Sequence, residues 1–560
     1  MARDQIIKKI IPLNGSYINY GDDMSLPEGT FSASSNLITY ADGSLGNRIP
    51  YYTDNLHTSA TGKIYFLTSS TFSGVTYLIY HYAGDTKFYK ATQTSGVFGS
   101  ATELAATTYA NASIKPFCWT KMNKILVISG GGLSAPLKWD GSTLAALGGT
   151  PPNFRWSVEA WEFLFAGGQA TNPEYVFISA WTGSPASPSV EGWAITSDDA
   201  RMLVDYGTDD NPTGGVFTNG SLYIYKTRSM HQYSYAGGDV TKPTQGLSRV
   251  KLFDIGCCSH FTIQSTAYGL IWFDGKRVWL WNFTGLPQDI SQGIDFIKGA
   301  TNYDTAQGYL IDSMSRWDEA NSRYELSVRL TSTSWKVWRC KVMQGSNGLS
   351  VAWHPSTLSY PQSLMFNRSS SGSWDNDWVV AGNSNDGTNA EVIKFPGLLE
   401  ESALCNKVIR YNADSTKTFA APETWSFSTY YFQSVAGTAE TVSSWGASGY
   451  TRSVPLKDLG LLDTYAIEYL RIRGMLGGLV GSRNKFTFGY KTDDQDLSSF
   501  TIDEYLTGDN GQILDKTYYV RGSYLKERLK FYFAVDSDCD IDTQFKISFI
   551  EVGLKQVGGV

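Results

Sequence analysis

From about residue 60 onward, short runs rich in Tyr, Trp, Val and Ile alternate with Gly and Asp turns, which is the pattern of successive β-hairpins. In Leu78-Ile-Tyr-His-Tyr82, the turn Ala83-Gly84-Asp85 and Lys87-Phe-Tyr-Lys90, side-chain character recurs at alternate positions around a turn that tolerates positive φ. The expectation there is a hairpin with one packed face and one wet face. The same figure returns at Leu137–Trp139 with Asp140-Gly141, at His231–Tyr235 with Gly237-Gly238-Asp239, and at Leu270–Phe273, Asp274-Gly275, Val278–Phe283. These starts lie roughly 40 to 60 residues apart, with one longer gap, the period of four-stranded blades in a radial array.

A four-stranded sheet with aromatics on both faces cannot stand alone, whereas blades stacked face to face bury those aromatics and leave only short edges. The chain therefore reads as all-β, with a β-propeller of six or seven blades over residues 51–400. A pair of β-sandwiches with irregular hairpins would use the same turns and stands as the alternative. Helical periodicity is nearly absent, and the candidates at Gln288–Lys298 and Leu456–Tyr465 span a few turns at most. Between Ser369 and Gly387 the chain turns to Ser, Gly, Asn and Asp, which reads as a surface loop around a short strand at Trp378–Ala381.

After Pro396-Gly397 the strands lengthen: Ala466–Arg473, Phe486–Lys491, Leu529–Val535 and Phe545–Val552. Alternation is nearly clean in the last of these, whereas Ile467, Tyr469 and Ile472 do not share one face. Residues 401–560 are therefore expected to form a C-terminal antiparallel β-sandwich, and residues 1–50 an arm of strands that closes or flanks the propeller.

Composition sharpens this picture. Aromatic residues make up 14% of the 560-residue chain beside 55 Gly, a pairing that suits pleated strands and tight turns. With a formal net charge of −7 and no block of five like charges, the sequence argues against a basic DNA-gripping surface and suits one that DNA slides past. The six cysteines are scattered without a CxxC spacing, so free thiols are expected. Met1–Leu13 holds too few consecutive apolar residues for a signal peptide, and no run approaches the ~20 residues of a spanning helix. The expectation is a chain made, and at first kept, in a cytoplasm, with no membrane span.

Candidate chemistry is sparse. The five histidines, His57, His81, His231, His260 and His354, are too far apart for HExxH or His-x-His zinc patterns. No Gly-x-Ser-x-Gly elbow nominates a nucleophile, and Gly130-Gly131-Gly132 leads into Leu133–Pro136 as a loop, not a phosphate cradle. Ser371–Trp374 lacks the aspartate of a sialidase blade turn. Asp536, Asp538, Asp540 and Asp542 could hold calcium on a strand face, but without the glycine and closing glutamate of an EF-hand loop they read as a solvated turn, as do Asp209-Asp210 and Asp493-Asp494. Tyr430-Tyr431 and Tyr518-Tyr519 could stack on sugars or anchor a partner; in strands, neighbouring tyrosines face opposite sides. No catalytic, cofactor-binding or metal-binding residue is nominated, and the expectation is a chain that is not an enzyme.

One resemblance goes further. Pro12–Gly15, Pro27–Thr30, Ala33–Leu37 and Asp42–Pro50, followed by Phe253–Ser259, Leu270–Gly275 and Leu286–Ile294, are similar to the tail nozzle proteins of short-tailed bacteriophages, also called tail tubular protein B or packaged-DNA stabilisation proteins. About 100 residues carry the likeness, through a Pro- and Gly-rich lead, a Gly-x-Leu-x-x-Arg turn ending at Arg48, and an Ile-Ser-x-x-Ile run ending at Ile294. Arg48 is expected either to anchor a carboxylate or carbonyls near the propeller or to sit at a solvated strand end.

The resemblance implies a structural virion protein of the tail, a homohexameric ring below an adaptor or portal ring. Such a ring would dock tail fibres or spikes, retain packaged DNA, touch it in passing and conduct it during ejection. The alternatives are a glycan-binding adhesin and a glycosidase acting on host polysaccharide.

Overall fold

The structure is a computed structural model that describes most of residues 6–356 and 448–557. Between them it describes the strands Gln362–Asn367, Asn376–Gly382, Glu391–Pro396, Thr418–Phe419 and Trp425–Ser426. The chain is a seven-bladed β-propeller followed by an antiparallel β-sandwich. Apart from Gly308 and Tyr309, no described residue is α-helical; Gln288–Asp289 is a strand followed by turns, and residues 456–464 lie outside the described residues.

The seven innermost strands are Ile64–Phe72, Phe117–Met122, Trp156–Ala160, Pro212–Thr218, Gln264–Thr266, Met314–Asp318 and Gln362–Asn367. Each packs beside the next, and Gln362–Asn367 returns to Ile64–Phe72, so the ring closes. In the first six blades the following strands step outward in chain order. The seventh is completed from the other end of the chain: Tyr52–Asp54 pairs antiparallel with Glu391–Pro396, with Thr53 opposite Ile393. Asn376–Gly382, around which the sequence suggested a surface loop, is a middle strand of this blade.

Local turn chemistry sets the hairpins. Asp140 Oδ1 accepts the N–H groups of Ser142 at 2.8 Å and Thr143 at 2.7 Å, and Gly141 supplies φ +98°. Asp274 and Gly275 do the same between the two middle strands of blade 5. The expectation of a wet face on the Leu78–Tyr82 hairpin is corrected. Leu78, Ile79, Tyr80 and His81 are all fully buried, because blades cover the sheet on both sides; His81 lies 5.0 Å from Phe88 and 5.1 Å from Phe117 of blade 2. Trp139, Trp156, Trp272, Trp338 and Trp353 are likewise buried, each removing ~150 to 250 Å² from water.

Blade 6 presents two different faces. Tyr324, Leu326 and Val328 join Ile271, Phe273 and Leu280 of blade 5 in one core. The alternate positions form buried ionic rows across the strands, Arg316–Glu325–Arg339 and Asp318–Arg323–Lys341, with Arg339 Nε donating to Glu325 at 3.0 Å. The innermost strands of blades 6 and 7 lie side by side.

The sandwich draws on both ends of the chain. One sheet orders Leu37–Thr39, Leu45–Asn47, Gln544–Gln556, Tyr465–Gly477 and Gln512–Tyr519, with Ile6–Ile11 also pairing Gln544–Gln556. The other orders Phe31–Ser35, Ser448–Thr451, Arg528–Val535, Arg483–Thr492 and Ser498–Tyr505. Leu470, Ile472, Phe488, Phe531, Phe533, Ile547 and Ile550 fill the space between. A register shift between Ile467 and Tyr469 explains why these positions fall out of phase in the sequence.

The N-terminal arm fastens the two parts together. Tyr17 N–H donates to Trp353 O at 2.7 Å, and Asn19 receives the Asp295 N–H at 2.7 Å while its amide donates to Asp295 O at 2.7 Å. His354, on the outer strand of blade 6, bonds Ser34 through Nδ1 and Thr39 through Nε2, both at 3.0 Å. Asn36 N–H donates to Pro355 O at 3.1 Å.

Candidate functional site

The loops leading into the inner strands and the hairpins joining second and third strands lie on one face of the wheel. There they enclose two connected cavities. A hub pocket of about 470 Å³ lies among blades 2 to 6, and a cleft of about 1120 Å³ over blades 4 to 6; Thr213, Thr227 and Ile311 line both.

The hub is crossed by charge. Arg155, just before the inner strand of blade 3, donates through Nη2 to Ile311 O at 3.0 Å and to Asp312 Oδ1, just before the inner strand of blade 6. Asp312 Oδ2 accepts from Arg329 Nη1 at 2.5 Å. Behind this bridge the Trp156 indole N–H donates to Pro212 O at 3.3 Å, and its ring stacks on His260 at 5.8 Å. Burial holds His260 neutral, with its pKa pushed down to about 4, and its Nδ1 accepts the Gly215 N–H at 3.3 Å. The Gly130-Gly131-Gly132 loop forms part of the rim, all three at positive φ; a Cβ on Gly131 would stand 2.2 Å from the Phe117 ring.

In the cleft, the carboxylates are tied to their own loops. Asp274 Oδ1 accepts the Lys276 and Arg277 N–H groups and Oδ2 the Trp279 indole N–H, each at 2.7 Å. Asp289 Oδ1 caps Ser291 at 2.8 Å while Oδ2 lies 3.4 Å from Arg277, and Asp295 accepts the Ile297 N–H at 3.1 Å. Asp254 pairs with Lys251 at 2.5 Å.

The residues singled out in the sequence are scattered. Asp210 accepts the Arg228 N–H at 3.1 Å and the Ser229 hydroxyl at 3.2 Å, and Ser229 Oγ meets His231 Nε2 at 3.1 Å. This chain has serine in the middle: a hydroxyl that gives its proton to Asp210 must accept from His231, so the imidazole cannot act as its base. His81, His231, His260 and His354 lie on different blades, and no group of metal-binding residues occurs among the described residues. Cys118, Cys257, Cys258 and Cys340 are free. Tyr518 stacks on Phe500 at 4.3 Å while Tyr519 is exposed. Arg48, His57, Cys405, Cys539, Asp209, Tyr430, Tyr431, Asp493, Asp494 and the four aspartates from Asp536 to Asp542 lie outside the described residues. Arg155 and Asp312 had no signal in the sequence, because 157 positions separate them and only closure of the wheel brings them together.

No protein-family model and no curated protein matches the chain. Among solved structures, it is similar to a putative 6-phosphogluconolactonase from Bacteroides fragilis at 12% identity and TM-score 0.36, over 58% of this chain and 89% of that one. It is similar to an exo-β-1,3-galactanase from Phanerochaete chrysosporium at 9% identity and TM-score 0.26, over 87% and 95%. A tailspike protein 4 enzymatically active domain from bacteriophage CBA120 shares 9% identity at TM-score 0.15, over 21% and 16%. These likenesses correct the expectation that the chain is not an enzyme. Proteins titled as a glycoside hydrolase, a galactanase and a lactonase are among those it is similar to.

Proposed function

We propose that the chain is a structural subunit of a short-tailed phage tail, assembling as a homohexameric ring that retains packaged DNA and conducts it during ejection. The observation that carries this reading is the joint. Segments that resemble the nozzle family, around Ala33–Leu37 and Leu286–Ile294, lie in or beside the contacts that join arm, sandwich and propeller. Because Arg155 and Asp312 cross the hub, DNA would pass between copies and not through a single wheel. Adaptor or portal proteins and tail fibres or spikes are the proposed neighbours. Native mass measurement of the full chain, alone and with its neighbouring tail proteins, is expected to give a ring of roughly six copies; a monomer under every condition overturns the reading.

A second reading is favoured by the two connected cavities: that this face of the wheel holds a glycan of the host surface. Their volumes of about 470 and 1120 Å³ reach the size of sites that enclose small ligands.

A further inference from the structure

The hub pocket differs in charge from the cleft beside it. Arg155 is the one charged side chain in its lining, and no acid lines it. The other polar side chains there are neutral: the amides of Asn153, Gln169 and Asn211, the hydroxyls of Thr213 and Thr227, the Trp156 indole and the His260 ring. The neighbouring cleft, by contrast, mixes Arg228, Lys276 and Arg277 with four aspartates.

Arg155 is also held with donors to spare. Both of its hydrogen bonds leave from Nη2, one to Ile311 O and one to Asp312, so the guanidinium is fixed in place while Nε and Nη1 stay available. Its side chain is 30% exposed. Gln169 accepts from Asn172 through Oε1 at 3.2 Å, which leaves its amide N–H groups over, and Asn153 donates to Leu133 O at 2.6 Å, which leaves its carbonyl. The glycine rim adds backbone without side-chain bulk. A fixed guanidinium with free Nε–H and Nη1–H donors can hold a carboxylate oxygen through one charge-assisted hydrogen bond, and amides with hydroxyls match a ring of vicinal alcohols.

We propose that the hub pocket binds a carboxylate-bearing sugar residue, with the carboxylate on Arg155 and the sugar hydroxyls on Asn153, Gln169, Asn211 and Thr227. This rests on the second, glycan-binding reading and specifies its ligand. The acid is recognised by Arg155, and the neutral walls supply no carboxylate that would hold a competing cation.

The test is titration calorimetry of the full chain with a trisaccharide of uronic acids and with the same trisaccharide after its carboxyls are reduced to alcohols. The acidic sugar is expected to bind at least roughly tenfold more tightly, and Arg155→Gln to remove that difference. Because Arg155 also bridges the hub, Gln169→Ala and Asn211→Ala serve as variants at partly or fully exposed positions; each is expected to weaken binding roughly threefold at unchanged melting temperature. Equal binding of the two sugars overturns the proposal while leaving the glycan reading in place. Binding of neither overturns both.

Discussion

Trp353→Ala is expected to lower the stability of the chain by about 4 kcal/mol, the middle of the range for emptying a core tryptophan site. Trp353 is fully buried on the outer strand of blade 6, and its ring packs edge-on against Phe296 at 5.4 Å and Tyr324 at 6.2 Å. Its indole N–H donates to Ile290 O at 2.7 Å, and its backbone carbonyl receives the N–H of Tyr17. One substitution therefore opens a cavity in the core shared by blades 5 and 6, orphans a buried carbonyl and loosens the arm that carries the sandwich. Urea melts followed by tryptophan fluorescence measure it. A loss under about 1.5 kcal/mol would mean that the site collapses, and that the arm does not depend on it.

The second large effect is acid lability centred on His354. Burial pushes its pKa down to about 3, and both ring nitrogens are held by hydroxyls of the arm. In the unfolded chain the ring titrates near ~6.5, so below that pH the unfolded state takes up a proton that the folded state refuses. The stabilisation is complete above the unfolded value and is lost as pH falls toward about 3. At ~1.4 kcal/mol for each pH unit, this ring alone contributes a loss of roughly 5 kcal/mol over the full span down to about 3, of which roughly 3 kcal/mol falls above pH 4.5. His231 and His260, each pushed down to about 4, act in the same direction. Melting temperatures from pH 7.5 to 4.5 are expected to fall steeply in the native protein. In His354→Gln they start lower, because the hydroxyl contacts are impaired, but decline less steeply. Parallel profiles would show that His354 does not carry the linkage.

Much of the architecture could be read from local signals. The Asp140-Gly141 and Asp274-Gly275 turns sit between strands just where aromatic runs flank an Asx turn, because such a turn needs nothing from the rest of the chain. What escaped reading depends on distant partners. Tyr52–Asp54 carries no mark of the strand 340 residues away that it completes. Arg323-Tyr-Glu-Leu-Ser-Val-Arg329 alternates with period two, a pattern equally that of a solvent-facing sheet, yet all seven positions are buried between blades. The wet face expected at Leu78–Tyr82 failed for the same reason: period two reports two faces but not what covers each. The hub pocket was invisible because its lining comes from five blades. The Gly130–Gly132 loop, recognised only as a connection, turned out to form part of its rim.

The account depends on a wheel closed by the N-terminal strand, which makes arm, propeller and sandwich one body. Thr53 and Ile393 stand opposite one another across that closure, and cysteines at both positions report on it directly. In the double variant Thr53→Cys, Ile393→Cys, the two thiols are expected to oxidise to a disulfide in the folded protein, with a melting temperature above that of either single variant. Two thiols that stay free and react with a labelling reagent under native, oxidising conditions would contradict the closed wheel.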